Sequence, residues 1–269
     1  MFDFHAVPEA FSQQAFEQSL RSRWLGRQLI TFPTIDSTNS ECLRLPDRKA
    51  AHGLVIVAEE QTSGHGRFNR PWIAPPGKAL LFSLILRGEA FLKVESALTI
   101  AAAVGLHRVI TAFHARDCEI RWPNDLIIRG RKFCGILAER GPWPQPGWVL
   151  GVGINVNQRE EDLPAEWRET VTSIAIESKT LYARELLLAQ LCAELETVFE
   201  ELAFDAGGPE RIRQEWESAS CFIGRSITVD TGYEKVAGMV VGLEPTGALI
   251  LREPSGFLRA ILSGSVVKQ

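Results

Sequence analysis

The chain has 269 residues, 45% of them hydrophobic and 23% charged, with 29 basic residues against 33 acidic ones for a formal charge of −4. A chain of this size buries one sizeable core and a small second one, and the composition is that of a globular protein. The acidic balance argues against a surface-wide footprint for DNA or anionic lipid, but leaves room for a local basic site.

Residues 9–25 are expected to form an amphipathic helix, with Phe11, Phe16, Leu20 and Trp24 on one side and Gly26 as its stop. The first thirty residues lack the continuous apolar run of a secretory signal. A short strand, Leu29–Phe32, leads to a helix that Ser37 can cap, with Glu41 close to where a capping acid lies. Strand Leu54–Ala58 runs into the loop TSGHGRFNRPW, residues 62–72. Strand Ala79–Leu86 follows Pro75-Pro76-Gly77. The apolar stretch 97–113 contains His107 and Arg108 and falls short of a membrane span, so it predicts a buried core helix.

Strands are expected at Cys118–Trp122, Leu126–Ile128, Arg131–Glu139 and Trp148–Val156, the middle two as a hairpin around Arg129-Gly130-Arg131. Leucines at helical spacing predict one long helix over 180–202, and a second follows at 208–218. Beyond Cys221 the pattern changes to short β-rich runs with glycine turns, the texture of a small barrel. The 5 cysteines form no CxxC pair and predict reduced, packed thiols in a cytoplasmic protein without a zinc site.

The loop at 62–72 has the chemistry of an anion site. Gly64 and Gly66 let backbone N–H groups approach a ligand, Arg67 and Arg70 offer forked cationic donors, and Trp72 can exclude water. Taken alone, a solvated surface turn explains the loop equally well. Lys132 stands at the start of a strand with Gly135 three residues on, and strict alternation would point Lys132, Cys134 and Ile136 the same way. In RWPND, Pro123 breaks the strand and leaves Asn124 and Asp125 beside that hairpin. Phosphate-loop, dinucleotide, GxSxG and HExxH patterns are all absent, and nothing marks a covalent nucleophile.

Read in order, DSTNSE (36–41), EEQTSGHGRFNRPW (59–72), PPGKALLFSL (75–84), RWPNDL (121–126), RKFCGILAE (131–139) and GVGINVN (151–157) resemble the catalytic region of biotin protein ligases, the biotin–[acetyl-CoA-carboxylase] ligases. The resemblance implies an α/β (α+β) fold. A catalytic domain over 1–220 would be like class II aminoacyl-tRNA synthetases, with a mixed sheet and flanking helices, and 221–269 would form a small Src-homology-3-like barrel. It implies that biotin and ATP with Mg²⁺ give biotinyl-5'-adenylate and pyrophosphate. A lysine of a biotin carboxyl carrier protein, from acetyl-CoA carboxylase or another biotin-dependent carboxylase, then takes the biotinyl group. No tightly bound prosthetic group is implied.

By the same resemblance, Lys132, Arg67 and Arg70 carry catalysis. Biotin is held by Ser37, Thr38, Asn39, Gln61, Gly64, His65, Gly66, Lys132, Gly135, Gly151 and Gly153. The adenylate is held by Arg67, Arg70, Trp72, Asn124, Asp125, Lys132 and Asn155, and whether Asp125 also meets the Mg²⁺ stays open. The family loop commonly reads GRGRxGR, whereas here His65 replaces an arginine and Asn69 a glycine. The expected consequence is an active enzyme with weaker retention of the adenylate, because imidazole is mostly neutral near pH 7. The 35 residues before the DSTN motif are too few for the DNA-binding domain of regulatory members, so a monofunctional type without DNA or membrane binding is expected. Monomer and homodimer both stay open. The alternatives are a lipoate or octanoate ligase of the same fold and a non-catalytic biotin or biotinyl-adenylate binding protein.

Overall fold

The computed structural model describes residues 10–268 apart from 114 and 116. A seven-stranded sheet is built from β1 (Gln28–Ile35), β2 (Leu54–Gln61), β3 (Ala79–Arg87), β4 (Cys118–Arg121), β5 (Asp125–Ile128), β6 (Arg131–Arg140) and β7 (Gly147–Asn155). Their spatial order is β1-β2-β3-β7-β6-β5-β4. Only β1 and β2 run parallel, so the sheet is mixed. Pro33 is tolerated in β1 because that strand is an edge.

The helices are α1 (Gln13–Ser19), α2 (Thr38–Arg44), α3 (Glu89–Lys93), α4 (Leu98–Phe113), α5 (Ile174–Ser178), α6 (Arg184–Phe204) and α7 (Gly208–Ala219). Strand alternation divides the sheet into two faces. Val55, Val57, Leu80, Phe82, Val152 and Ile154 turn toward α4 and α6 and form the main core. Leu54, Ile56, Ile85 and Val149 turn the other way, onto Cys42 of α2. Arg108 of α4 ties the helical layer together at its surface, donating to Glu194 (2.9 Å) and Glu201 (3.1 Å) of α6 and to Glu215 of α7 (2.8 Å).

Two helices differ from the sequence expectation. The first is shorter: Ser12 caps α1 at Gln13, and residue 9 lies outside the described residues. The long helix expected over 180–202 starts only at Arg184, and Leu181 is exposed rather than packed. Lys179 closes α5 in a left-handed conformation (φ 58°). Asn157 then holds the backbone of Tyr182 extended, its Oδ1 accepting from Tyr182 N (2.9 Å) and its Nδ2 donating to Tyr182 O (2.8 Å).

The β-rich end is a second, antiparallel sheet of five strands: β8 (Ser226–Asp230), β9 (Lys235–Leu243), β10 (Leu249–Arg252), β11 (Leu258–Ile261) and β12 (Ser265–Lys268). It is docked onto the first unit by polar contacts. Cys221 N donates to Ile120 O (3.1 Å), Leu243 N to Glu217 Oε1 (2.9 Å), and the buried Trp122 indole N–H to Gly247 O (3.4 Å).

Candidate active site

On the α2 side of the sheet, β6 and β7 carry glycines where a core would need side chains. Gly135, Gly151 and Gly153 leave a hollow of about 300 Å³. The N-terminus of α2, the end of β2, the loop 65–72, the turn 121–125 and residues 264–266 of the second sheet close it in.

One end of the hollow is a polar network. Gln61 Oε1 accepts from Thr38 N (2.7 Å) and Thr38 Oγ1 (3.0 Å). The Ser83 hydroxyl lies 2.7 Å from Thr38 Oγ1 and 2.5 Å from Asn39 Oδ1, and Asn39 Nδ2 donates to Glu139 Oε2 (2.7 Å). Ser37 caps α2 as its position in the sequence suggests, accepting from Ser40 N, while Glu41 turns to Arg44 instead of completing a capping box. Ser37, Thr38 and Asn39 are all buried, so donors and acceptors stand fixed on a mostly dry floor.

The other end is cationic. Lys132 Nζ lies 2.6 Å from Asp125 Oδ1, and Arg121 Nη2 lies 3.2 Å from Asp125 Oδ2. Arg67, Arg70, Arg121 and Lys132 line the hollow with Asp125 as the one carboxylate in its described lining. Desolvation lowers the pKa of Arg67 from its ordinary value, with Asp125 opposing the shift and Arg70 adding to it. Four cations against one carboxylate make this a receptor for anions.

The loop 62–72 folds into a tight excursion. His65 bridges to Pro71, Gly66 N donates to Arg70 O (2.8 Å) and Trp72 N to Gly64 O (2.8 Å). Phe68 (φ 57°) and Asn69 (φ 55°) turn its tip in the left-handed region. Asn at 69 therefore serves where the family has glycine. The Arg67 guanidinium stacks 5.0 Å from the Phe68 ring. Beyond the tip the chain returns inward, and the Trp72 indole lies over Gly135 and Gly153. A Cβ at Gly153 would stand 2.6 Å from that ring, and the Lys132 ammonium lies 5.5 Å from its centre.

The expected facing of Lys132 needs correction. Cys134 and Ile136 belong to the helix-side core, while Lys132 faces the hollow with Gly135. An extra residue in β6 causes this: Leu126 pairs with Cys134 and Ile127 with Lys132, so Phe133 is bulged. The backbone of Lys132 is drawn aside to pair with 170–172, donating to Thr170 O and accepting from Thr172 N, both at 2.8 Å.

Of the residues named from sequence, Gly64 and Asn155 are not in the lining. Gly64 is buried behind it, where a Cβ would meet Gln61 Nε2 at 2.7 Å. Asn155 is buried at the end of β7, donating to Thr172 O (3.0 Å) and accepting from Gln158 Nε2 (2.8 Å). The Asn124 side chain is engaged too, its Nδ2 donating to Ile136 O (2.7 Å). The other named residues meet around the one hollow. Sequence reasoning missed Arg121, Ser83, Glu139 and the wall at Gly264–Val266. Arg121 stood in plain view inside RWPND, whereas residues 264–266 carry no motif.

Known proteins resemble this chain over most of its length. A model of the biotin/lipoate A/B protein ligase family matches residues 31–156, and one of the biotin protein ligase C-terminal domain matches 222–269. The bifunctional ligase/repressor BirA of Bacillus spizizenii is 30% identical over 96% of this chain and 79% of its own length. The chain belongs to the biotin protein ligase family. The biotin–[acetyl-CoA-carboxylase] ligase of Paracoccus denitrificans is 31% identical over 82% of this chain and 92% of its own. The biotin protein ligase of Aquifex aeolicus, solved with biotin and ATP, superposes with a TM-score of 0.80 over 90% of this chain and 100% of that one, at 24% identity.

Among the described residues of this family member, no group of three His, Cys, Asp or Glu side chains could hold a metal. Asp125 is bridged by Lys132 and Arg121. That donor set does not fit a resident metal, and Mg²⁺ belongs to the reaction as part of MgATP.

Proposed function

We propose that this chain joins biotin to a lysine of a biotin carboxyl carrier protein through biotinyl-5'-adenylate, at the expense of ATP. The observation that carries the reading is the convergence of four cationic side chains on a glycine-floored hollow whose far end is a fixed polar network. A bicyclic urea fits the network, an apolar tail fits the glycine floor under Trp72, and a carboxylate then emerges beside Lys132.

The first step brings two anions together. A carboxylate oxygen of biotin attacks the α-phosphorus, the bond to the β-phosphate oxygen breaks, and pyrophosphate leaves. Positive charge set in place beforehand lowers that barrier. Asp125 holds the Lys132 ammonium at 2.6 Å before substrate arrives, and the loop brings Arg67 and Arg70 over the reacting phosphate. In the second step the carrier lysine amine attacks the acyl carbon, AMP departs, and the nitrogen loses a proton. No side-chain nucleophile is required. The cysteines are buried and free, and burial raises their thiol pKa values, that of Cys221 to about 11. The Trp72 indole over the floor keeps water from the mixed anhydride.

The same reading divides the chain after residue 220 into a catalytic unit and a small C-terminal one. It places the protein in the cytoplasm with ATP and apo-carboxylases. Among the described residues no helix is long and apolar enough to cross a membrane. Incubation with biotin, MgATP and a purified carrier domain, followed by avidin blotting and intact mass, tests the proposal. The expected product is a carrier one biotinyl group heavier. A carrier modified only when lipoate or octanoate replaces biotin, or left unmodified although biotin binds, would overturn it.

A further inference from the structure

We propose that Glu139 is a positioning residue for the recognition of a cyclic urea, fixing which atoms of the buried network meet the ligand as donors and which as acceptors. The inference rests on the ligase reading above and deepens its first event, the seating of biotin. Glu139 lies on β6, outside the lining of the hollow, and is half-buried. Among the described residues its carboxylate meets no cation, and its one hydrogen-bond partner is Asn39 Nδ2 at 2.7 Å. A carboxylate held partly out of water without a counter-charge costs free energy. What it does here is give a row of hydrogen bonds one direction.

The sheet sets the row in place. Ser83, Gly151 and Leu137 lie side by side across β3, β7 and β6, and Glu139 follows Leu137 on the same face. Asn39 comes down on Gly151, where a Cβ would stand 2.1 Å from its Oδ1. Its amide is thereby held between Ser83 and Glu139.

Direction then follows from counting protons. A carboxylate only accepts, so Asn39 turns Nδ2 to Glu139 and Oδ1 to Ser83. Oδ1 also only accepts, so the single Ser83 proton crosses 2.5 Å to reach it. Ser83 Oγ is left to accept from Thr38 Oγ1, 2.7 Å away, and the Thr38 proton is shared between Ser83 and Gln61 Oε1 at 3.0 Å. Thr38 has no proton to spare and meets a ligand as an acceptor. Gln61 Oε1 is pinned by Thr38 N (2.7 Å), so its open end is Nε2, a donor with no partner among the described residues. Thr38 and Gln61 both line the hollow. An acceptor beside a donor is the complement of a urea, which offers N–H groups beside a carbonyl oxygen. With an amide at 139, Asn39 is free to turn over. Ser83 then faces Nδ2, its proton swings to Thr38, and an acceptor site meant for the urea is occupied.

The test compares Glu139→Gln and Ser83→Ala with the unaltered protein. Calorimetry gives Kd for biotin and for desthiobiotin, and biotin-dependent pyrophosphate exchange gives kcat and the KM values for biotin and ATP. Loss of a fixed direction predicts a rise of roughly five- to fiftyfold in Kd and KM for biotin in Glu139→Gln. The kcat at saturating biotin and the KM for ATP should stay within about twofold. Desthiobiotin keeps the urea and lacks the sulfur ring, so it should weaken by the same factor. Ser83→Ala interrupts the row and should move biotin affinity the same way. Unchanged biotin affinity in Glu139→Gln would overturn the proposal. So would kcat and ATP affinity falling together with biotin affinity, since Glu139 would then only brace the sheet. Biotin weakened with desthiobiotin untouched would also overturn it, because the urea would not be the group that is read. Should Glu139→Gln not fold, Ser83→Ala reads the same row from its middle. An unaltered protein that does not bind biotin would remove the ligase reading itself, whereas biotin binding that is intact and indifferent to residues 83 and 139 removes only this inference.

Discussion

A single methyl group decides whether the hollow exists. A Cβ at Gly151 would lie 2.1 Å from Asn39 Oδ1, and one at Gly153 would lie 2.6 Å from the Trp72 ring. Gly153→Ala must therefore displace the indole that roofs the floor. Overpacking of this kind costs about 1–3 kcal/mol. The variant is expected to fold with that loss in urea titration and to bind biotin markedly more weakly by calorimetry. Unchanged biotin affinity would mean that Trp72 does not form the roof. The glycines were legible in the sequence through their motifs, but what they make room for was not, because Asn39 and Trp72 come from distant segments. The facing of Lys132 was misread for a related reason. Alternation along β6 holds from Cys134 onward and fails at the Phe133 bulge, which depends on pairing with β5 and with residues 170–172.

At the scale of elements, the strands and the central helix α4 followed from apolar runs and turn residues, because each is decided by its own sequence. The start of α6 did not, since it depends on Asn157, far away in the chain, clamping Tyr182. A second long-range clamp anchors the N-terminal segment to the same helix. The buried Glu196 carboxylate accepts from the backbone N–H groups of Arg23 (2.7 Å), Trp24 (2.7 Å) and Leu25 (2.9 Å). Its neighbour Glu200 accepts from the Trp24 indole (2.9 Å). Burial alone would raise the pKa of Glu196, but those N–H groups and the Arg23 side chain together hold it below the ordinary glutamate value. A lowered folded-state pKa gives stability that is present above the unfolded-state value and lost as pH falls through the folded one. Glu196→Gln should therefore cost about 1.5–3 kcal/mol at neutral pH, the worth of a charge-assisted hydrogen bond. The difference from the unaltered protein should shrink on acidification below the ordinary glutamate range. Urea titrations across that range read both; a difference independent of pH would show that the carboxylate's charge is not what the backbone binds.

For the molecule as a whole, the second sheet is part of the site. Gly264, Ser265 and Val266 wall the hollow, and Arg67 of the loop reaches Ser263 and Gly264, so neither unit presents the complete cavity alone. This was the least legible feature in the sequence. The β-rich end could be recognised as a unit, but no residue type at 263–266 announces that it faces a pocket some two hundred positions earlier in the chain. The account stands on the cations of the first unit, in a hollow that the second helps to wall, acting together on one bound carboxylate and one phosphate. Biotin-dependent exchange of labelled pyrophosphate into ATP reads that step without any carrier protein. The unaltered chain should exchange only when biotin is present, and Lys132→Ala should lose the exchange while keeping its thermal transition. Exchange that persists in Lys132→Ala, or that ignores biotin in the unaltered chain, would contradict the account.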